Sequence, residues 1–322
     1  MNVLVVKHYP ENQHELLPQV VEELKKLNGG HRYRLVYDVK PQLKHQLWSF
    51  GQPTRVVSFY QLREFKPAWA KIWTQGLLTK TQEYQILDRA GVAVPRWTKM
   101  TEDHKPDLST FSDYVVTKPD WGCCGALVRV VAKGRVKWEK PVVDKTGYDI
   151  SDDWVIQEFI HTGPFPISYR IGTVFGEPVY AWRTVASQTR KPFNDSSKRD
   201  SQFFDGRTIV SSSRGCTFDL DVPEDVLEFA RKVHSAFPNI PLLGTDVLRD
   251  FNTGKLYAID FNSVGNVFHL TSETGKKIMS DFNLDLFAQF GGAKAIARGI
   301  FNRVNQTAPE MKNKELCEVV NS

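Results

Sequence analysis

The feature that most constrains this chain is a pair of apolar runs near its C-terminal end, each broken by an acid. Gly244-Thr245-Asp246-Val247-Leu248-Arg249-Asp250 is followed by Lys255-Leu256-Tyr257-Ala258-Ile259-Asp260-Phe261-Asn262, with Asn252-Thr253-Gly254 between them. Alternating runs on either side of a glycine-bearing turn predict a β-hairpin. Alternation then sets Asp246 on one strand, and Asp260 and Asn262 on the same face of the next. Three oxygen-bearing side chains converging in this way suit a hard cation such as Mg²⁺, completed by waters and phosphates. An ordinary hairpin with its acids in water explains the pattern less well, because unpaired acids are rarely buried within apolar strands.

The 322 residues suffice for two or three lobes with a sizeable core. The N-terminal run Val3–Val6 is too brief for a signal peptide, and no stretch reaches the apolar length of a membrane span. The four cysteines, at 123, 124, 216 and 317, form neither a zinc spacing nor a disulfide framework. A reducing cytoplasm is the simplest compartment. A net charge of +5, with the basic residues scattered, suits a small anionic substrate better than nucleic acid.

Residues 1–77 read as a small α/β unit, with strands at 3–7, 33–39 and 54–59 and an amphipathic helix at 15–27 that ends at Asn28-Gly29-Gly30. So small a unit should lean on its neighbour. It lacks a G-x-G-x-x-G turn, which argues against a dinucleotide site. A second unit, 78–155, opens on a helix at 79–90 and continues in strands at 96–100, 113–118, 126–131 and 135–138. The third, 156–305, takes the end of a strand at 153–160, strands at 167–174 and 177–184, a helix at 223–237, the hairpin and a helix at 283–304. Residues 306–322 are expected to be a frayed tail, and the polar, aperiodic stretch 186–202 a loop, either a lid or a solvated excursion.

Several segments suit a phosphorylated ligand. Lys118 ends a strand and precedes a turn holding Gly122 and Gly125, where backbone N–H groups can approach phosphate oxygens. Lys80 stands at a helix start, a second phosphate-compatible place. Gln157-Glu158-Phe159-Ile160 ends a strand whose backbone edge could read an adenine ring. Arg170 and Arg183, on successive strands, could each fork onto a phosphate or carboxylate. Each feature alone also fits an ordinary surface residue. No Ser-His or Cys-His nucleophile constellation is evident, and His8 and His269 read as structural, with proton carriage as the alternative.

The order of these pieces resembles the ATP-grasp superfamily, most closely its glutathione synthetase and RimK-like carboxylate–amine ligases, over about residues 78–300. The elements are Lys80 before a helix leading to Gly91-Val92-Ala93-Val94-Pro95, then Val116-Thr117-Lys118-Pro119, Gln157–Ile160, Tyr169-Arg170, Trp182-Arg183, Gly244-Thr245-Asp246-Val247 and Ile259-Asp260-Phe261-Asn262. The resemblance implies an α+β fold in which two lobes grip ATP behind a small α/β domain. It implies that Lys80 and Lys118 hold ATP phosphates, that the Gly122–Gly125 loop covers them, and that Gln157, Glu158, Phe159 and Ile160 meet adenine and ribose. Asp246, Asp260 and Asn262 would hold Mg²⁺ (two ions, with Mn²⁺ as a substitute), and Arg170 and Arg183 would face the γ-phosphate and the activated carboxylate. The implied reaction makes an acylphosphate from a small-molecule or peptide carboxylate, then an amide by attack of an amine. Related ligases often pair as homodimers.

Two departures stand out. Asp260 occupies a position where the family usually has Glu, and the Asp-x-Asn form also occurs in ATP-grasp kinases of the inositol phosphate type. Trp121, Cys123 and Cys124 stand in the glycine loop, where Trp121 either covers the nucleotide or packs the loop. A kinase acting on an anionic hydroxyl substrate and a non-catalytic ATP-binding protein therefore remain alternatives. Arg190, Lys191, Lys198, Arg199 and Arg214 point to an acidic substrate.

Overall fold

The computed structural model describes residues 1–8, 15–40, 50–122, 127–140, 150–186, 216–263 and 267–319. The glycine-loop residues Cys123, Cys124 and Gly125, and nearly all of the basic stretch 186–214, lie outside them.

Strands β1 (Asn2–Lys7), β2 (Arg32–Tyr37), β3 (Thr54–Val57) and β4 (Ala70–Trp73) form a parallel sheet in the order β2-β1-β3-β4. Helix α1 (Leu17–Leu27) turns Leu17, Val20, Val21 and Leu24 into the core and stops at Asn28, whose positive φ ends the helix. Strand β4 was not legible in the sequence, being four residues long with a single buried position.

The middle region begins with α2 (Lys80–Arg89). Thr79 caps it, accepting from the Gln82 N–H while the Gln82 side chain accepts from the Thr79 N–H, a reciprocal pair that fixes the helix start. Strands β5 (Trp97–Met100), β6 (Tyr114–Pro119), β7 (Arg129–Ala132) and β8 (Trp154–Glu158) make an antiparallel sheet in the order β5-β8-β6-β7. The expected strand at 135–138 is not formed. A 3-10 turn at Lys133–Arg135 takes its place, held by the Lys133 N–H on Asp113 O and by Lys133 Nζ on Phe111 O.

The third sheet is antiparallel, in the order β11-β10-β9-β12-β13, from β9 (Ile167–Val174), β10 (Glu177–Ala186), β11 (Cys216–Asp219), β12 (Leu242–Arg249) and β13 (Leu256–Asn262). Helix α3 (Glu224–Ser235) covers one face, packing Val226, Leu227 and Ala230 on Tyr169, Ile171, Ala181 and Val247. The expected helix at 283–304 is divided. Helix α4 (Glu273–Phe282) ends at Asn283 in the left-handed region, Asp285 caps α5 (Leu286–Phe290), and α6 runs over Ala293–Val319, taking in the segment expected to fray.

This is the α+β architecture of two sheet-bearing lobes behind a small α/β unit that the resemblance implied. The α/β unit does lean on its neighbour. Val3, Val5, Leu17, Val20 and Trp73 share one apolar cluster with Tyr180, Trp182, Leu242, Phe268, Ile296 and Ile300. A second cluster joins Tyr84 and Leu87 of α2 to Val155, Val233, Leu243 and Phe261, so α2 is clamped onto the third sheet. Among the described residues no helix is long and apolar enough to cross a membrane.

Candidate active site between the lobes

The third sheet sets a row of charges across three strands. Arg170 on β9 lies opposite Asp246 on β12, and Asp246 lies opposite Asp260 on β13. Directly opposed residues share a sheet face, so all three project on the side away from α3. A register shift just after Asp246 brings the two acids into direct opposition. Asn262, two residues on from Asp260, follows on that face opposite Gly244. Two glycines let neighbouring side chains lie close against this face. A Cβ on Gly244 would sit 3.3 Å from Arg170 Nη1, and one on Gly172 would overlap the Tyr180 ring at 2.0 Å.

The clamp made by α2 brings lysines from the middle region to the same place. Lys80 Nζ lies 2.5 Å from Asp260 Oδ1, and Arg170 Nε lies 2.8 Å from Asp246 Oδ1. Lys118 Nζ donates to Tyr84 Oη and to the Ile259 carbonyl, both at 2.7 Å, and Tyr84 Oη is 2.6 Å from Gln157 Oε1. Lys80, Lys118, Arg170, Asp246, Asp260 and Gln157 are thus brought together.

Burial sets the charge states, and neighbours redirect them. It pushes Asp246 up to about 6 against the pull of Arg170, with Asp260 adding repulsion. It acts on Asp260 in the same direction, but Lys80 and Lys118 prevail and hold that carboxyl at about 2. Burial and the repulsion of Lys80 bring Lys118 down to about 7, whereas Lys80 is net raised by Asp260 despite its burial. Glu83, on the first turn of α2, is held well above the usual carboxylate range, chiefly by burial. Lys80, Lys118 and Arg170 thus face Asp246 and Asp260, with Glu83 buried beside them.

The oxygen donors fit a divalent cation. Asp246 and Asp260 repel one another across adjacent strands, a repulsion that such an ion relieves, and Asn262 adds an amide oxygen on the same face. Among the described residues no group of three or more His, Cys, Asp or Glu gathers as a metal cluster, so the donor set here is two carboxylates and an amide. The Nη1 of Arg170 is buried with no hydrogen-bond partner among the described residues, a spare donor at the centre of the row.

Two expected residues do not join. Arg183 pairs across strands with Tyr169 and Asp219, on the α3 face of the sheet, because it neighbours Trp182, which opposes Arg170. Its guanidinium forks onto Asp219 at 3.0–3.1 Å and reaches Asp221 at 3.1 Å. The Glu158 side chain leaves β8 on the face opposite Gln157, 3.6 Å from Arg96 Nε, and accepts from the Ser112 N–H. Phe159 and buried Ile160 follow β8 directly, and Gly122 follows β6 three residues beyond Pro119. Trp121 is 38% exposed. Sequence reasoning missed Glu83, Tyr84 and Asp120. Asp120 accepts from the Thr81 N–H at 2.8 Å while its carbonyl accepts from the Lys80 N–H, tying the start of α2 to the end of β6.

No protein-family model matches this chain, and no curated protein matches it in sequence. Solved structures similar to it include D-alanine–D-alanine ligase from Bacillus anthracis, at 12% identity over 97% of this chain and 99% of that one, with a TM-score of 0.49. The macrocyclase MdnC bound with precursor peptide MdnA, from Microcystis aeruginosa MRC, is similar at 14% identity over 94% and 100%, with a TM-score of 0.49. The ATP-grasp ligase PsnB, complexed with a phosphomimetic variant of a minimal precursor, Mg and ADP, is similar at 12% over 94% and 98%, with a TM-score of 0.48.

Proposed function

We propose that this protein is an ATP- and Mg²⁺-dependent ligase that joins a carboxylate to an amine through an acylphosphate. The observation that carries the reading is the inter-lobe charge cluster. Lys80 and Lys118 from the middle region face the row Arg170–Asp246–Asp260 of the third sheet. Basic side chains converging from both lobes on a pair of carboxylates suit a polyphosphate that arrives with its own metal ion. Asp246, Asp260 and Asn262 would hold that ion, which would neutralise charge spreading onto the transferring phosphoryl group.

The chain's own residues then have defined tasks. Lys80 and Lys118 bind phosphate oxygens, and Arg170 presents its unpartnered Nη1 to the γ-phosphate or to the carboxylate being activated. Tyr84 and Gln157 hold Lys118 in place. The backbone of Phe159 and Ile160 would meet the adenine edge, and Gly122 and Gly125 the phosphates. Positioning and electrostatics suffice for such chemistry, and no protein nucleophile is needed.

The test is ADP formation from ATP across a panel of carboxylates and amines, in wild type and in the Asp246→Ala and Lys118→Ala variants. A loss of about 10²–10³-fold in turnover is expected for each. Equal activity in all three proteins would end the reading. Asp260, in place of the Glu of related ligases, favours a second reading, transfer of phosphate to a hydroxyl. A stable phosphorylated product formed without any amine would select it.

A further inference from the structure

The carboxyl edge of the N-terminal parallel sheet holds a second polar assembly, unconnected with the nucleotide chemistry above. His8 follows β1, Asp38 follows β2 and Ser58 follows β3. His8 Nδ1 lies 3.2 Å from Asp38 Oδ2, and His8 Nε2 lies 2.8 Å from Ser58 Oγ. The sheet order β2-β1-β3-β4 changes direction between β1 and β3, and the crevice beyond the carboxyl ends of such strands is where open α/β sheets bind ligands. His8 and Ser58 flank that crevice.

A cavity of about 350 Å³ opens there, within the size range of small-molecule sites. His8, Tyr60 and Leu62 line it together with Gln61 and Gln75, and Arg63 and Lys66 add two cations. No acid lines it among the described residues. Asp38 organises both halves of this wall. One carboxylate holds the His8 ring, and it also accepts from the consecutive backbone N–H groups of Arg63, Glu64 and Phe65 at 2.8–3.1 Å, fixing the segment that carries Arg63 and Lys66.

The trio is not a nucleophile set, although its distances resemble one. Ser58 is 1% exposed, and the three N–H groups that could have stabilised an oxyanion are spent on Asp38. The hydrogen bonds instead suit a rigid wall that tolerates a charged imidazole. With Nδ1–H on Asp38, Ser58 Oγ can donate to Nε2, or accept from Nε2–H while donating to Tyr60 O at 2.7 Å. The pocket adjoins the inter-lobe site. Gln75 lines it, and the next residue, Gly76, accepts a hydrogen bond from Ser263, which directly follows Asn262.

We propose that this pocket binds a small oxyanion, the carboxylate or phosphate at the end of the substrate remote from the reacting group, between Arg63, Lys66, Gln61, Gln75 and the ring of His8. It rests on the ligase reading only for calling the bound molecule a substrate. The protein therefore recognises an acidic substrate by an anchor on the N-terminal sheet.

The test needs no ATP, so its outcome is separate from that of the nucleotide reading. The full-length protein is labelled with ¹⁵N-histidine, and the His8 ring signals are followed as succinate or inorganic phosphate is added. Saturable shifts are expected with one or both probes, and the tighter probe identifies the anion. The doubly substituted Arg63→Gln/Lys66→Gln protein alters exposed side chains only and should bind about tenfold or more weakly. The Ser58→Ala protein should keep the anion but lose the second ring partner of His8. Unmoved His8 signals with both probes, or equal affinity in the Arg63→Gln/Lys66→Gln protein, would overturn the proposal.

Discussion

Two histidine–serine pairs sit near the functional face of this molecule, alike in geometry and opposite in electrostatics. His8 Nε2 lies 2.8 Å from Ser58 Oγ with Asp38 on its other nitrogen, and His269 Nδ1 lies 2.8 Å from Ser272 Oγ with Arg170 nearby. The first ring has a carboxylate 3.2 Å from its Nδ1. The second is buried against Tyr180 and Trp182, and burial followed by the Arg170 charge lowers its pKa to about 3. The same two side chains thus face a carboxylate in one place and, in the other, a buried setting with a guanidinium nearby that disfavours the charged ring. The neighbour sets the role of the pair, and residue type does not.

The largest effect that would break this contrast is on acid stability. An unfolded histidine titrates near 6.5, and folded His269 near 3, so the unfolded chain binds the extra proton between those values. The contribution of His269 is full above pH 6.5 and is lost as pH falls toward 3, by about 5 kcal/mol when complete. Urea unfolding across that range should show a steeper acid loss in wild type than in the His269→Gln variant. Parallel curves would mean that His269 titrates normally and that the two pairs do not differ.

The next effect sharpens the role of the guanidinium. Arg170→Met leaves Asp246 buried without its partner, which should cost about 3 kcal/mol of unfolding free energy. Because Asp246 titrates near 6 even with Arg170 present, the deficit should shrink as pH falls through that value and the acid becomes neutral. Adding Asp246→Leu should recover most of the loss. The same variant should move the His269 ring pKa upward in an NMR titration, since one of its two lowering causes is gone.

On the other side of the comparison, Asp38→Asn replaces an acceptor of three backbone N–H bonds and of the His8 ring. A loss of about 2 kcal/mol is expected, with weaker succinate or phosphate binding as the second readout. Destabilisation without any change in anion binding would leave Asp38 as a loop anchor only.

The two regions also differ in how far the sequence revealed them. Asp246, Asp260 and Asn262 were legible because a hairpin turns sequence alternation directly into a shared face. Lys80 could be placed because a helix was readable over 79–90, and the structure starts that helix at Lys80. His8 was read as structural, and Asp38 and Ser58 gave no signal. They lie 30 and 20 residues apart, each one step beyond a strand, and only the order β2-β1-β3-β4 brings those ends together. Glu83 was hidden for a related reason, since a glutamate in a first helical turn ordinarily means dipole complementarity. Its burial follows from the clamping of α2 against the third sheet, which is tertiary.

Arg183 is the smallest predicted effect and the sharpest check on the charge row. The family resemblance paired it with Arg170, but adjacent registers set the two on opposite faces of the third sheet. Its partners Asp219 and Asp221 lie on and just after β11, and its side chain is 31% exposed. A partly exposed pair of this kind contributes little, so Arg183→Gln should cost less than about 1 kcal/mol in urea unfolding. It should also leave ATP turnover unchanged, whereas Arg170→Met should abolish it. Should Arg183→Gln abolish turnover with stability intact, residues beyond Ala186 must turn that face toward the substrate, and the single-sided site drawn here would be wrong.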